Sequence, residues 1–425
     1  MEMRELKALE IAARSRVVYD SGEWVVPSQS SGGNYRVRIG SNDLYCPCED
    51  FALRQTDCKH TLAAKLVYER DGFTKRHSID ADAVPTKKTS KQNWPAYTLA
   101  QTTEKTRFQE LMFDLCRGVE EPPRHKKGGR RTFMRDMLFA SAFKVFSTYS
   151  GRRFACDLHD AHSRGFLARP LSPMSVLAFI ESDALTPFLY QLIERSAFPV
   201  RALETTFAPD STGFSTSRFV RWFDEKYGQE RSGRAWVKAH CMTGAKTNIV
   251  TTAIVDTPTA NDCPMFRPLL EKTIANGFDV QTVCADKGYL SRENLELAVK
   301  HNAAVFIPFK SNSVAGEPGT VWERMFHFFQ YHRSDFLARY HARSNVESTF
   351  SMVKAKFRDH VRGKTDTAMK NEVLLKLLCH NTVVVHQTVT ELGISAEFWP
   401  ELQASSEREV IPFCRNQDAH AGTRG

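Results

Sequence analysis

The sequence has 425 residues, is 42% hydrophobic and 25% charged, and carries a formal net charge of +9. Those values leave room for two or three cored domains and exclude intrinsic disorder. Ten cysteines are too few for a disulfide scaffold in a chain this size, and the basic balance favours a polyanionic partner, because Lys and Arg release counterions from phosphates. No apolar run reaches the roughly 18 residues of a membrane span. Met1 to Val18 mixes acids and bases without the apolar core of a secretory signal, so the chain is expected inside the cell and away from membranes.

In chain order, residues 1–78 form a small, at most basic-leaning module in which Cys46, Cys48, Cys58 and His60 cluster. Asp80 to Tyr97, with Pro85, Lys87, Lys88, Lys91 and Pro95, reads as a linker. Residues 79–121 therefore hold the linker and the start of a helical region that continues over 122–200. From Pro122 to Arg135 there are six Lys or Arg and no acid, ahead of an apolar helix over Met137 to Phe146. That stretch is either a solvated loop or a phosphate-contacting part of a helical DNA-binding region.

Over 201–390 strands alternate with helices, which predicts an α/β domain. Strands are expected at Leu203–Gly213, Arg234–Gly244 and Thr247–Thr257, then a helix at Asp262–Asn276 closed by Gly277. A strand at Val280–Ala285, a helix at Arg292–His301 and a strand at Ala303–Phe309 follow. Val321 to Arg358 is helical with a break near Asp335, and 391–425 is a loosely ordered tail. Three meander strands followed by strand, helix, strand and helix is an order similar to the ribonuclease-H-like fold. That resemblance implies a mixed five-stranded sheet with flanking helices.

Phosphodiester chemistry uses two divalent cations about 4 Å apart, and carboxylates suit hard Mg²⁺ or Mn²⁺. In a sheet of that kind the ligands are an Asp on the first strand, an Asp ending the fourth and an acid on a later helix. Asp210, Asp286 and Glu347 occupy those places, 76 and 61 residues apart. Taken singly, each aspartate reads as a turn former and the glutamate as a solvated salt-bridge partner; their joint order carries the reading. Pro209 directly precedes Asp210, and a proline cannot donate to a central ladder. The first strand is therefore expected either to bulge there or to begin at Asp210.

Tyr340, Arg343, Glu347 and Lys354 match a Tyr-x2-Arg-x3-Glu-x6-Lys spacing in full. With the two upstream aspartates, the chain from about Arg124 to Thr388 resembles insertion-sequence transposases of the DDE class. At 100° per residue those four side chains fall in a stripe about 60° wide, beside the apolar stripe of Val346, Phe350, Val353 and Phe357. Lys354 lies roughly 10 Å along the axis from Glu347, too far to ligate the same ions, so a DNA phosphate is its expected target. Tyr331 to Thr365 holds eight Lys or Arg and three acids, a face that would track a DNA backbone or be an ordinary charged helix.

Cys46-Pro-Cys48 followed after nine residues by Cys58-Lys-His60 resembles SWIM-type zinc fingers. Residues two apart on a strand share a face, so Cys46 and Cys48 are expected as a strand-borne pair. Cys58 and His60 complete tetrahedral Zn²⁺ coordination at the start of a helix over Thr61 to Arg70. The alternative is three buried structural cysteines. With so little core, zinc should supply much of the module's folding free energy. Whether such a finger would bind DNA or protein is open.

Together these resemblances imply a metal-dependent DNA transposase that cleaves element ends and transfers strands to target DNA. Its partner is double-stranded DNA, terminal repeats and target alike, and it acts as a homo-oligomer in the cytoplasm at the nucleoid of a prokaryotic source. Two alternatives are a domesticated, catalytically silent DNA-binding protein with a zinc-finger interaction module, and an interaction scaffold built on the finger.

Overall fold

Tyr35, Val37 and Ile39 alternate with Arg36 and Arg38, the period-two pattern of a half-buried strand. This segment forms β3 (Asn34–Gly40) in an antiparallel sheet with β1 (Val18–Asp20), β2 (Glu23–Pro27) and β4 (Asp43–Tyr45), in sequential order. Val26 and Val37 enter a small core with Ala8 and Ile11 of α1 (Met3–Arg14) and Ala63 and Ala64 of α3 (Lys59–Asp71). A short α2 (Glu49–Arg54) lies between β4 and α3 in the chain. In this computed structural model the described residues are 3–15, 17–20, 22–28, 33–40, 43–71, 93–123, 132–216, 236–256 and 261–400. They fall into two compact units, within 1–91 and within 92–425. Most of the expected linker, the basic residues 124–131 and the tail from 401 lie outside the described residues.

The second unit begins with helices α4 (Trp94–Arg117), α5 (Met134–Ser147), α6 (Gly151–Ser163), α7 (Pro173–Ile180) and α8 (Thr186–Ser196). Asn93 and Ser172 cap α4 and α7 by accepting the N–H of Ala96 and Met174, each with a proline in the first turn. A mixed five-stranded sheet follows, in the order β7-β6-β5-β8-β9. Strands β5 (Thr206–Ser215), β6 (Trp236–Gly244) and β7 (Val250–Asp256) form the antiparallel meander. Strands β8 (Thr282–Cys284) and β9 (Ala304–Phe306) run parallel to β5. Helix α9 (Phe266–Ala275) precedes β8 and α10 (Arg292–Lys300) separates β8 from β9. The observed class is α/β with the strand and helix order expected from the sequence.

One hydrophobic core joins the helical segment to the sheet: Phe108, Phe143 and Leu189 belong to the same buried cluster as Phe207, Val283 and Val373. Its longest element is α14 (Asp366–Leu392), buried on nearly all sides, as a helix apolar around its circumference must be. The polar groups on α14 are satisfied. Asn381 accepts from the Val250 amide and donates to the Val250 carbonyl, clamping β7, and His380 Nε2 lies 2.9 Å from the Asn248 carbonyl.

Strand β5 neither bulges at Pro209 nor begins after it. Its register with β6 runs unbroken from Phe207↔Gly244 to Ser215↔Trp236, with Pro209 opposite Met242. The Thr205 carbonyl accepts from Gln281 and Thr282 on the β8 side, and the Thr206 carbonyl accepts from Ala245 on the β6 side. By alternation the Pro209 nitrogen faces β8, whose pairing with β5 ends at Phe207. The missing donor therefore falls where no ladder bond is required.

The helical stretch after β9 consists of α11 (Val321–Tyr331), α12 (Arg333–Tyr340) and α13 (Ser344–Phe357), with a tight 3₁₀ turn at His341–Arg343. The break sits at His332, not Asp335. Tyr340 and Glu347 are thus on separate helices, and the single continuous stripe expected from the sequence holds only from Ser344 onward.

Candidate active site and metal centre

In the first unit the chain turns sharply after β4. Cys46 and Cys48 lie beyond the strand, and Cys48 instead caps α2 by accepting the Phe51 N–H at 3.4 Å. The expectation of a strand-borne pair is corrected: a turn brings the two thiols together, because β4 ends at Tyr45. Cys58 directly precedes α3 and His60 is its second residue. Thr61 Oγ1 accepts the Cys58 amide at 2.9 Å and lies 3.7 Å from the Cys58 sulfur.

The four ligand atoms of Cys46, Cys48, Cys58 and His60 lie within 4.8 Å of one another and all four residues are buried. His60 Nδ1 is 3.7 Å from Cys46 Sγ and 3.9 Å from Cys58 Sγ. Ligands at about 2.3 Å (sulfur) and 2.0 Å (nitrogen) from a tetrahedral zinc are roughly 3.5–3.8 Å apart, so the donor set and spacing fit Zn²⁺. Tyr35 packs on the imidazole with ring centroids 4.3 Å apart, fixing its plane.

In the second unit, Asp210 projects from the middle of β5, Asp286 follows the end of β8, and Glu347 lies in the first turn of α13. Arg343, at the end of the 3₁₀ turn, ties two of them together. Its Nη2 is 3.4 Å from Asp210 Oδ2 and its Nη1 is 2.7 Å from Glu347 Oε1. Asp210 Oδ1 accepts the Ser211 amide at 2.8 Å, and Asp286 Oδ1 accepts the Lys287 amide at 2.7 Å.

Burial pushes the Asp210 carboxyl above its ordinary range. The Ser211 amide and the Arg343 guanidinium oppose that shift, while Asp286 and Glu347 push it further up. One guanidinium thus holds Asp210 and Glu347, and the charge of Asp286 reaches both Asp210 and Arg343. Tyr340 shares the neighbourhood: burial raises its phenol, Arg343 draws it down, and Asp286 and Glu347 add to the rise. Among the described residues only the cysteine–histidine group brings three or more ligand atoms within 4.8 Å. Asp210, Asp286 and Glu347 are not such a group; Arg343 joins two of them. Hard oxygen donors carrying uncompensated negative charge fit a divalent cation.

Lys354 stands over the Phe214 ring of β5 at 5.6 Å, and burial lowers its ammonium below the usual range. The side chain thus lies along β5, about two turns of helix past Glu347.

Sequence reasoning missed Asp262, which it placed merely at a helix start. Its Oδ1 is 2.9 Å from Lys238 Nζ and 3.3 Å from His240 Nδ1. Burial alone would raise this carboxyl, but hydrogen bonds from Lys238 and Ser211 and the charges of Lys238 and His240 hold it below its ordinary range. Through Ser211 it abuts Asp210, and a Cβ on Gly288 would meet its Oδ2 at 3.7 Å. The buried Tyr289 hydroxyl lies in the fields of both Asp262 and Asp210. No spacing marks Asp262 in the sequence, because its partners sit on an adjacent strand.

Comparison with known proteins gives two domain matches. Residues 201–382 match the family described as transposase DDE domain, and residues 35–69 match the SWIM zinc finger. No curated protein sequence matches the chain. Among solved structures, the chain is similar to a piggyBac transposase synaptic complex with hairpin DNA at 10% identity, with 70% of this chain and 79% of that one covered and a TM-score of 0.36. It is also similar to the Drosophila P element transposase strand transfer complex at 12% identity, with 67% and 70% covered and a TM-score of 0.23. No single helix among the described residues is long and apolar enough to cross a membrane.

Proposed function

We propose, from the match of residues 201–382 to the transposase DDE domain and of residues 35–69 to the SWIM zinc finger, that the chain cleaves DNA strands at the ends of a mobile element and joins them to target DNA. The observation that carries this reading is that one guanidinium, Arg343, pairs with Asp210 on a strand and with Glu347 on a helix, with the charge of Asp286 reaching Asp210 as well. Asp210, Asp286 and Glu347 would hold Mg²⁺ or Mn²⁺. Bound there, the ions would activate the attacking oxygen and stabilise the leaving oxygen of a phosphodiester.

The protein's own groups account for the rest. The Ser211 amide fixes one oxygen of Asp210 and Arg343 the other, so the carboxylate is oriented before substrate arrives. Arg343 also restrains Glu347, whose side chain is otherwise 62% exposed. Lys354 and the cations further along the helix line a path for the DNA backbone. Water serves as the nucleophile for cleavage and the freed 3′-hydroxyl for joining. In the first unit Cys46, Cys48, Cys58 and His60 would hold Zn²⁺, and by function the chain would divide into 1–78, 79–121, 122–200, 201–390 and 391–425, the third and fourth segments sharing one core. Incubating the chain with Mg²⁺ and DNA carrying the sequences that flank its gene tests the proposal. Strand breaks at those ends support it, and intact DNA under conditions where the protein binds would favour a catalytically silent DNA-binding protein.

A further inference from the structure

At the far end of the helix that carries Glu347, Arg358 adopts φ 74° and ψ 150°, a backbone conformation that is essentially glycine's. The strain is held in place from two sides. Buried Lys376 donates to the carbonyls of Arg358 and His360, and Glu372 accepts the amides of Arg362 and Gly363 at 2.7 and 2.9 Å. The effect is to turn Arg358 and Arg362 toward the C-terminus of α5. There Arg358 Nη2 and Arg362 Nη1 each lie 3.3 Å from the same Thr148 carbonyl oxygen. Lys144 reaches the neighbouring Tyr149 carbonyl at 2.7 Å.

These side chains, with Lys364, line a cavity of about 390 Å³ that has Phe357 and Leu177 in its wall. Five cations line it against two carboxylates, and one of those, Glu372, is already committed to backbone amides and to Lys376. The like charges repel: Lys144 and Arg362 are each held below their ordinary values, by burial first and then by the neighbouring guanidinium groups. Gly363, Lys364 and Ala368 bring the N-terminus of α14 to the same cavity, and a 27-residue helix presents a positive end there. A surplus of cations and a helix N-terminus at one cavity both favour one kind of ligand, an anion with several acceptor oxygens.

We propose that this cavity is a phosphate site that seats a backbone phosphodiester of the bound DNA strand, apart from the catalytic carboxylates. Arg358 lies 11 residues beyond Glu347, roughly 16 Å along the helix, so the seated phosphate is not the one being cut. The inference rests on the reading of the chain as a DNA enzyme, and the test separates the two.

One arm needs no DNA. Thermal unfolding of the full chain is followed in inorganic phosphate and in chloride at equal ionic strength. Phosphate at millimolar concentration should raise the midpoint of the wild-type protein, and Arg362→Gln should lose that shift. Because Arg362 also holds the α5 terminus, Lys364→Gln, at an exposed position outside those hydrogen bonds, serves as the second variant and should weaken phosphate binding several-fold. In the other arm, duplex DNA affinity is measured against salt. Each variant should lower the slope of log K against log[salt] by about 0.9. No phosphate-specific shift in the wild-type protein would overturn the site. A phosphate shift with unchanged DNA slopes would make it a site for free phosphate and overturn the DNA assignment. A wild-type chain that binds phosphate but no DNA would overturn the DNA assignment and the functional reading together, leaving the anion site standing.

Discussion

Arg343 on the 3₁₀ turn reaches across to Asp210 on β5, 3.4 Å from guanidinium to carboxylate, while its other terminal nitrogen is 2.7 Å from Glu347. A helix-borne cation thus fixes the distance between a strand-borne and a helix-borne acid. Removing it should raise the Asp210 pKa, because Arg343 pulls that carboxyl down against burial. A carboxylate must be ionised to hold a cation, so the acidic limb of the pH–rate profile for cleavage should move to higher pH in Arg343→Ala. The maximum rate should fall about tenfold or more, the equivalent of about 1.4 kcal/mol. An unshifted profile would assign Arg343 to DNA contact alone.

Asp210→Asn, Asp286→Asn and Glu347→Gln should each reduce strand cleavage by about a thousandfold or more, with duplex binding kept within severalfold. The amides preserve shape and remove the charge that would hold the ions. Residues acting as one unit are not additive, so the triple variant should be hardly slower than any single one. Near-normal cleavage by Glu347→Gln in a gel assay would sink the assignment.

Metal linkage gives a readout without turnover. The Asp210 carboxyl is raised in the folded chain, so its contribution to stability is present below the unfolded value near 3.8 and is lost as the pH rises through the folded value. At neutral pH the ionised side chain therefore costs stability when no cation is present. Asp210→Asn should unfold no earlier than wild type without divalent metal. Mg²⁺ at about a hundred times its Kd should stabilise the wild-type protein by about 2.7 kcal/mol and the variant much less. Calorimetry with and without Mg²⁺ distinguishes the two.

The finger should hold one zinc per chain, lost in Cys58→Ser. Structural zinc contributes on the order of 10 kcal/mol to small modules, so the first unit should unfold in that variant. The melting transition of the second unit should survive, since its core draws on none of the residues in the first. Elemental analysis and two-transition calorimetry read the outcome, and protein purified with no bound zinc would contradict it.

Lys354→Ala should lower the salt slope of DNA binding by about 0.9 if its ammonium contacts a phosphate. Its position over Phe214 adds a second effect, a small loss of stability of about 0.5–1 kcal/mol from the lost cation–π contact. A stability loss with an unchanged slope would leave Lys354 a structural residue.

What the sequence disclosed was periodic or local. Strand alternation and helix periodicity survive in the observed elements, because each is written within a few residues. Relations between distant segments were not legible. Nothing near Asp262 announces Lys238 and His240, which reach it from an adjacent strand. The handover at His341–Arg343 was hidden because a 3₁₀ turn accepts the same residues as a helix, so the stripe drawn through Tyr340 extended too far. Pro209 misled in the opposite direction. A proline was expected to disturb the strand, but which side of the ladder its nitrogen faces depends on where β8 stops.

That end of pairing has a further consequence. Among the described residues, β5 beyond Phe207 pairs only with β6 until the isolated bridge between Ser215 and His360. Asp210 stands in that stretch, its carboxylate held by Arg343. Pro209 beside it is buried, where an N–H without a strand partner would cost about 1–3 kcal/mol, and a proline has none to leave unpaired. The residue that looked like a flaw in the strand thus lets its pairing with β8 stop inside the protein without an orphaned donor. Replacing it with an ordinary β-former should lower the melting temperature of the second unit, read by calorimetry.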